Sequence, residues 1–359
     1  MKKIGILVYD ASLIGGAEKV AINLAYELSK IYSIHLISVF NKNNASIENK
    51  RIKKYVICNE ITKSITKNLI GISQKLKKYL KENGIEVLIG ITAGVNGIAI
   101  LATANTNIKT IYCEHSNLEN KSYGKKHELR QYFGAKKMNA IVTLTERDRN
   151  NFIKFYRISD SKVFSIPNWH TKTNNEECIY NINSKKIITV GRLEKVKGYD
   201  LLVKIAKAVR KKHKDWEWHI FGDGTLKHEL EKSIEEEQLT DFLYLKGNVT
   251  DIIDRYNNYA MFVMTSYYEG LPLVLLEAQE RLLPIIAFDC PTGPSEIIEN
   301  NVNGFIVPCY DVNCMAEKIC ELIEHKEKRI TFSKNSMKNL ENFEKEKVLK
   351  KWINLIENI

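Results

Sequence analysis

The chain has 359 residues, 44% hydrophobic and 27% charged, with 18 Gly and 6 Pro, which suits about two ordinary domains and excludes a disordered, collagen-like or low-complexity chain. Its 7 Cys include no Cys-x-x-Cys pair, which argues against a disulfide framework or a structural zinc site and for reduced thiols in the cytosol. Of the net charge of +11, residues 1–170 hold 27 Lys and Arg against 13 Asp and Glu, and the remainder holds 27 against 30. A basic half of this kind points to a polyanionic partner, nucleic acid or an anionic membrane surface, unless it is only a lysine-rich solvated face.

From Met1-Lys2-Lys3-Ile4 the chain runs straight into a strand-like stretch, without the apolar region and cleavage site of a signal peptide. Apolar runs predict strands at Ile4–Val8, Ile34–Phe40, Val87–Ile91, Thr110–Cys113, Ala140–Leu144 and Val163–Ile166, with an amphipathic helix over Glu18–Ser29. Ile61, Ile65, Leu69, Ile72, Leu76 and Leu80 form an apolar stripe at helical spacing, decorated by Lys63, Lys67, Lys75, Lys77, Lys78 and Lys81. A second basic stretch carries Lys121, Lys125, Lys126, Arg130, Lys136 and Lys137. A basic amphipathic helix suits an anionic interface or the pyrophosphate of a lipid-linked acceptor; it equally suits an ordinary surface helix with its stripe in the core. Residues 87–108 carry no charge before Lys109, but the interspersed Gly, Thr and Asn read as strand, glycine turn and buried helix rather than a membrane span.

A second series of strands follows at Ile187–Val190, Trp216–Phe221, Phe242–Leu245, Ala260–Met264, Pro284–Phe288 and Phe305–Val307, separated by helical patterns such as Leu201–Lys211. Continuous apolar strands alternating with helices argue parallel sheets covered on both faces. The expected organisation is α/β: a first Rossmann-like, doubly wound domain over residues 1–168, a polar linker over 169–184, a second domain over 185–335, and a final helix over 336–359. In such sheets ligands sit beyond the carboxyl ends of the strands, which places the site in a cleft between the two domains.

The residues with chemistry stand at those strand ends. After the first strand, Gly15 and Gly16 open a helix and let backbone N–H groups approach an anion, or simply make a tight turn. The spacing is neither that of a dinucleotide fold nor that of a P-loop. Glu114-His115 follows the strand Thr110–Cys113, where a lone His is often structural. Gly191-Arg192-Leu193-Glu194-Lys195-Val196-Lys197-Gly198 follows Ile187–Val190, and its planar fork and point charge suit two adjacent phosphates. After Ala260–Met264, Glu269 lies in a loop, the N–H groups of Gly270 and Leu271 face outward, Pro272 fits the first turn of a helix, and Glu277 lies inside that helix. Ionised carboxylates are acceptors only, so both suit hydroxyl-rich ligands; Glu277, on an apolar stretch, suits vicinal ribose hydroxyls unless it is merely an exposed helix residue.

These segments, with Gly222-Asp223-Gly224, the Glu269 and Glu277 pair separated by seven residues, and Asp289-Cys290-Pro291-Thr292-Gly293-Pro294-Ser295-Glu296, occur in order along nearly the whole chain. Together they resemble glycosyltransferase family 4, the retaining sugar-nucleotide transferases of GT-B fold, and within it bacterial enzymes of capsule, O-antigen, teichoic-acid or lipid-linked glycan synthesis. The resemblance implies two Rossmann-like domains facing across a cleft, with the final helix crossing back to the first. It implies that Arg192 and Lys197 bind the donor diphosphate near the backbone of Gly15 and Gly16, and that Glu277 holds the ribose. Glu269, Gly270 and Leu271 would hold the donor sugar and its phosphate, Asn248 and Val249 would lie near the uracil, and His115 would contact the sugar or act near the anomeric centre. Arg192, Lys197, His115 and Glu269 are therefore the expected catalytic set. The linker departs from the family's Pro-Asn-Gly, reading Pro167-Asn168-Trp169.

The expected reaction moves a hexose or N-acetylhexosamine from a UDP-sugar to a hydroxyl of a glycan acceptor, lipid-linked, on the cytoplasmic face of the plasma membrane, with Lys63, Lys67, Lys75 and Lys78 meeting acceptor or membrane. No carboxylate pair stands out as nucleophile and partner, which favours same-face displacement over a covalent intermediate. No Asp-x-Asp stands at a strand end, so neither a metal nor another cofactor is expected, Arg and Lys supplying the counter-charge. Alternatives are a sugar-nucleotide epimerase or phosphorylase on the same fold, and a basic nucleic-acid- or membrane-binding protein. The few aromatics among the basic segments and the lack of a nucleic-acid-binding motif argue against nucleic acid as a partner.

Overall fold

The structure is a computed structural model that describes residues 1–12, 16–41, 51–58, 68–120, 124–170 and 180–359. Its contacts divide the chain into two units: Met1–Asn168 with Glu346–Ile359, and Trp169–Lys345.

In the first unit, β1 (Lys3–Asp10), β2 (Ser33–Phe40), β3 (Ile52–Val56), β4 (Val87–Ile91), β5 (Lys109–Cys113), β6 (Ala140–Thr143) and β7 (Val163–Ser165) form a parallel sheet in the order β3-β2-β1-β4-β5-β6-β7. Six of these are the apolar runs of the sequence. The seventh, β3, escapes that reading because the consecutive exposed residues Lys53 and Lys54 interrupt its apolar run; lysine is a common protection of an edge strand, which β3 is. Register aligns Ile6 with Leu36 on one side and Ile89 on the other, so apolar side chains share each face. One face, with Leu7, Ile37, Leu88, Tyr112 and Ile141, forms a core with helices Leu69–Asn83, Asn96–Thr103, Lys125–Lys137 and Glu146–Tyr156. The apolar stripe of the first of these is in that core, since Ile72, Leu76 and Leu80 are buried. Truncating any of them to Ala removes about 2–5 kcal/mol. Ile61, Ile65, Lys63, Lys67, Lys121 and Gly15 lie outside the described residues. The uncharged stretch 87–108 is β4, a turn and the eight-residue helix Asn96–Thr103, and among the described residues no helix is long and apolar enough to cross a membrane.

The second unit holds β8 (Lys186–Val190), β9 (Glu217–Phe221), β10 (Leu243–Gly247), β11 (Met261–Met264), β12 (Ile285–Phe288) and β13 (Gly304–Val307), parallel in the order β10-β9-β8-β11-β12-β13. Trp218, Ile220, Val263, Ile286 and Phe305 build its main core with helices Tyr199–Lys212, Lys227–Glu236 and Val312–Glu324. Strand order reverses between β8 and β11, which makes their carboxyl ends the switch point of the sheet.

The end of the chain differs from the single helix expected over 336–359. Ser336–Phe343 is a 3₁₀ helix that stays in the second unit, where Leu340 and Phe343 are buried and Ser336 Oγ donates to the Leu283 carbonyl. The α-helix starts at Lys345 and belongs to the first unit, burying Val348, Trp352, Leu355 and Ile356. There the Lys2 ammonium donates to the Ile356 carbonyl at 2.9 Å, and the Tyr32 hydroxyl donates to Glu357 at 2.6 Å.

Candidate active site

The loops leaving β8 and β11 meet at the switch point of the second sheet. Lys197 Nζ donates to Glu269 Oε1 at 2.7 Å, and Ser266 Oγ donates to the same oxygen at 2.6 Å. Two backbone-directed bonds hold the loops in that register: the Tyr267 N–H donates to the Val196 carbonyl at 2.8 Å, and Thr265 Oγ1 to the Lys197 carbonyl at 3.1 Å. Gly198 is required between them, because its φ is +65° and a Cβ there would stand 2.1 Å from the Thr265 carbonyl oxygen. Arg192 lies earlier in the same loop, exposed and without an ion-pair partner among the described residues. Its backbone is steadied from β9: Leu193 N–H donates to the Asp223 carbonyl and Leu226 N–H to the Leu193 carbonyl, both at 2.9 Å.

The loop after β12 closes the other side. The Glu269 N–H donates to the Pro291 carbonyl at 3.0 Å and the Thr292 N–H to the Glu269 carbonyl at 2.9 Å. Gly293, at φ +99°, lies so close that a Cβ would meet the Gly270 carbonyl at 2.5 Å. Segment 289–296 is thus the wall that shapes the backbone of 269–271. The N–H groups of Gly270 and Leu271 have no protein acceptor among the described residues. They precede helix Leu273–Glu280, whose positive end adds to their attraction for an anion. Pro272 is the residue that caps this helix, one position before its first turn, with φ −75° and ψ 101°.

Glu277 is half-buried on that helix, where the hydroxyl of the fully buried Tyr256 donates to Oε2 at 3.3 Å. Burial, and then the neighbouring Glu277 charge, push the Tyr256 phenol well above its ordinary value, so it remains a neutral donor. Asn248 (exposed) and Val249 (half-buried) follow β10, and β9 and β10 are tied there by the Gly222 N–H to the Gly247 carbonyl at 2.9 Å.

In the first unit, Gly16 is the first residue of helix Gly16–Leu28, exposed, and among the described residues nothing beyond its chain neighbours and own helix lies within 4 Å of the place a Cβ would take. His115 follows β5. Its half-buried ring has Nε2 3.3 Å from Cys113 Sγ, and burial brings its pKa down to about 4, partly offset by the Glu114 charge. The loop presenting it is tied to the fold by the buried Glu114 carboxylate, which accepts from Tyr112 Oη, from Ser116 N–H and Oγ at 2.9 and 2.8 Å, and from Gln131 Nε2 at 3.0 Å. Lys75 and Lys78 are exposed on helix Leu69–Asn83, and Lys78 lies 3.8 Å from Glu82.

The second unit therefore brings Arg192, Lys197, Glu269, Gly270, Leu271, Glu277, Asn248 and Val249 to one edge of one sheet. Gly16 and His115 stand at the carboxyl edge of the other sheet. The roles of Ser266, Thr292, Tyr256 and the three residues that donate to Glu114 are additions. Among the described residues no three His, Cys, Asp or Glu side chains converge as metal ligands.

The chain matches the family described as Glycosyltransferase Family 4 over residues 14–170 and the family described as Glycosyl transferases group 1 over residues 173–339. It is 29% identical over 353 residues to an uncharacterized glycosyltransferase of Haemophilus influenzae, covering 98% of this chain and 99% of that one. It is also 29% identical over 327 residues to the poly(ribitol-phosphate) alpha-N-acetylglucosaminyltransferase of Staphylococcus aureus, covering 89% of this chain and 63% of that one. The structure of Anabaena HepE in complex with UDP and glucose superposes with a TM-score of 0.84 at 17% identity, covering 100% of both chains. With two parallel α/β sheets and a family match on each half, the chain belongs to the GT-B glycosyltransferases, a family 4 domain joined to a group 1 domain, and is a transferase enzyme.

Proposed function

We propose that the enzyme transfers a hexose or N-acetylhexosamine from a UDP-sugar to a hydroxyl of a glycan acceptor, with retention and without a metal, in bacterial surface polysaccharide or teichoic-acid synthesis. The observation that carries this reading is the Lys197–Glu269 contact at the β8/β11 switch point, beside the exposed Arg192 and the N–H groups of Gly270 and Leu271. Arg192 and the remaining ammonium hydrogens of Lys197 would take the diphosphate, with the backbone of Gly15 and Gly16 approaching the same group. Glu277 would take the ribose hydroxyls, Asn248 and Val249 the uracil, and Glu269 the hydroxyls of the sugar. His115 would act as a neutral contact to the sugar.

The same arrangement serves the transition state. As the glycosidic bond breaks, charge builds on the leaving diphosphate, where fixed cations and N–H dipoles are worth most. Same-face attack needs no enzymic nucleophile, and the departing phosphate oxygen receives the acceptor proton. The Staphylococcus aureus relative makes an alpha linkage to poly(ribitol-phosphate), in keeping with retention from an alpha-linked donor. A lipid-linked acceptor on the inner face of the plasma membrane fits the basic first half, with the exposed Lys75 and Lys78 available to meet it.

The test is calorimetric binding of UDP and a panel of UDP-sugars in EDTA, to wild type and Lys197→Ala. Metal-free binding weakened by the substitution is expected. Absence of binding to every nucleotide diphosphate, or activity abolished by chelation, would overturn the assignment. Scalar coupling at the product's anomeric proton reads retention directly.

A further inference from the structure

Helix Lys125–Lys137 buries Gln131, Gly134 and Ala135 on its inner side, yet turns three large apolar side chains outward. Leu129, Tyr132 and Phe133 are 55%, 44% and 44% exposed, and their i, i+3, i+4 spacing puts them on one face. Phe155, on helix Glu146–Tyr156, is 61% exposed. Phe133 packs edge-on to Tyr132 at 5.6 Å, and the buried Tyr156 links the two helices beneath the surface, 6.2 Å from Tyr132 and 5.0 Å from Phe155. Single exposed apolar residues are ordinary, whereas a contiguous group of this size marks a contact surface.

The charge around the group identifies what it meets. The helix carries five cations against the single carboxylate Glu128, with Lys125 and Lys126 at one end and Lys136 and Lys137 at the other. Lys154 and Arg157 flank Phe155, both exposed. Aromatic rings between basic residues are the composition of a helix lying at an anionic membrane interface, rings at headgroup depth and cations on the lipid phosphates. A two-fold contact with a second copy would set the same cations against each other, which disfavours it.

We propose that the outer face of helices Lys125–Lys137 and Glu146–Tyr156 seats the enzyme on an anionic bilayer, with Leu129, Tyr132, Phe133 and Phe155 entering the headgroup boundary. This rests on the reading of the acceptor as lipid-linked and names the surface that reaches it. Both helices belong to the same core as helix Leu69–Asn83, so all three cover one face of the first sheet.

The test uses the full chain and vesicles of phosphatidylglycerol with phosphatidylcholine, or phosphatidylcholine alone. Wild type is expected to bind the anionic vesicles, more weakly as salt rises. Phe133→Ser with Phe155→Ser should weaken that binding about tenfold or more, and Lys136→Gln with Lys137→Gln should weaken it and flatten its salt dependence. Trp169, Trp216, Trp218 and Trp352 are all buried, so Phe133→Trp supplies an exposed reporter whose emission should shift to the blue on anionic vesicles. No vesicle binding by wild type, or binding unchanged by the Ser pair, overturns the proposal. So does a dimer that the Ser pair dissolves, which would assign the face to a second copy, or single-stranded oligonucleotide binding lost in the same variant. UDP binding on the same preparations separates the two readings: loss of vesicle binding with UDP binding intact defeats only the membrane face, and absent UDP binding defeats the transferase site.

Discussion

Lys197 and Glu269 are 72 residues apart in the chain and 2.7 Å apart at their charged ends, joined across the reversal of strand order between β8 and β11. Their side chains are 22% and 10% exposed, so the pair is open to a ligand on one side and shielded on the other. Because Ser266 still donates to Glu269, Lys197→Ala does not leave a bare carboxylate, and the stability cost should be about 1 kcal/mol, the scale of a partly exposed pair. Loss of the cation should instead lower kcat by about 10²–10³, the usual effect of removing one group that stabilises developing charge. Arg192→Ala should behave alike with less effect on stability, its guanidinium being exposed. Turnover and urea denaturation on the same samples check this; parallel loss of folding and activity would remove both residues from the chemistry.

Two glycines separate structure from ligand approach. Gly198→Ala should destabilise the fold by about 1–3 kcal/mol or more, since the added Cβ meets the Thr265 carbonyl at 2.1 Å in a left-handed backbone. Gly16→Ala meets none of the described residues with its new methyl, so its stability should stay within about 1 kcal/mol of wild type. If the Gly16 backbone lies against the donor diphosphate, the same methyl should still weaken UDP-sugar affinity. Thermal unfolding and calorimetry of both variants decide the matter, and unchanged affinity in Gly16→Ala would remove that backbone from the donor site.

Glu277 accepts a hydrogen bond from the buried Tyr256 hydroxyl. Glu277→Ala should weaken UDP binding about tenfold or more, the worth of hydrogen bonds to an ionised acceptor, and should weaken UMP binding equally because both carry the ribose. Tyr256→Phe leaves the carboxylate in place and removes only its buried donor at 3.3 Å, so a smaller affinity loss is expected with about 1 kcal/mol of stability. Equal affinity of wild type and Glu277→Ala for UMP would refute the ribose assignment.

Strands with both faces covered announce themselves as unbroken apolar runs, which is why all but one of the described strands are legible from sequence. β3 is not, because edge position and apolar continuity conflict at Lys53 and Lys54. The loops bearing Arg192, Lys197 and Glu269 are legible as polar segments following apolar ones. Their convergence follows only from the family resemblance and not from the pattern itself, since it depends on β8 pairing with β11 across an interval that contains two other strands. Ser266 and Tyr256 are hidden for a related reason: each reaches its carboxylate through one side-chain hydrogen bond, and its neighbourhood along the chain does not announce that contact. The outward rings of helix Lys125–Lys137 are equally obscure, because a stripe reads the same whether it faces a core or a solvent-exposed interface.

His115 sets a pH dependence whose sign can be worked out. Burial lowers its folded pKa to about 4, against about 6.5 in the unfolded chain. Between these values the unfolded state binds the extra proton, so stability falls as pH drops through the window and is fully present above about 6.5. The expected loss from this one ring between about pH 7 and pH 5 is ~2 kcal/mol. Burial lowers His35, His127 and His219 as well, so the slope of wild type alone is not diagnostic. The difference between wild type and His115→Gln is, because the other rings cancel. Urea denaturation across that range should show a shallower slope in the variant, whereas parallel curves would mean the ring is solvated and charged in the folded state. The same low pKa makes His115 a neutral imidazole at neutral pH, able to donate from one nitrogen and accept at the other. A sugar hydroxyl can use both, whereas a diphosphate calls for a cation. The acid limb of kcat/KM should therefore not move when His115 is replaced by Gln, although kcat/KM itself falls, and a limb that shifts with the substitution would make the ring a titrating catalyst instead.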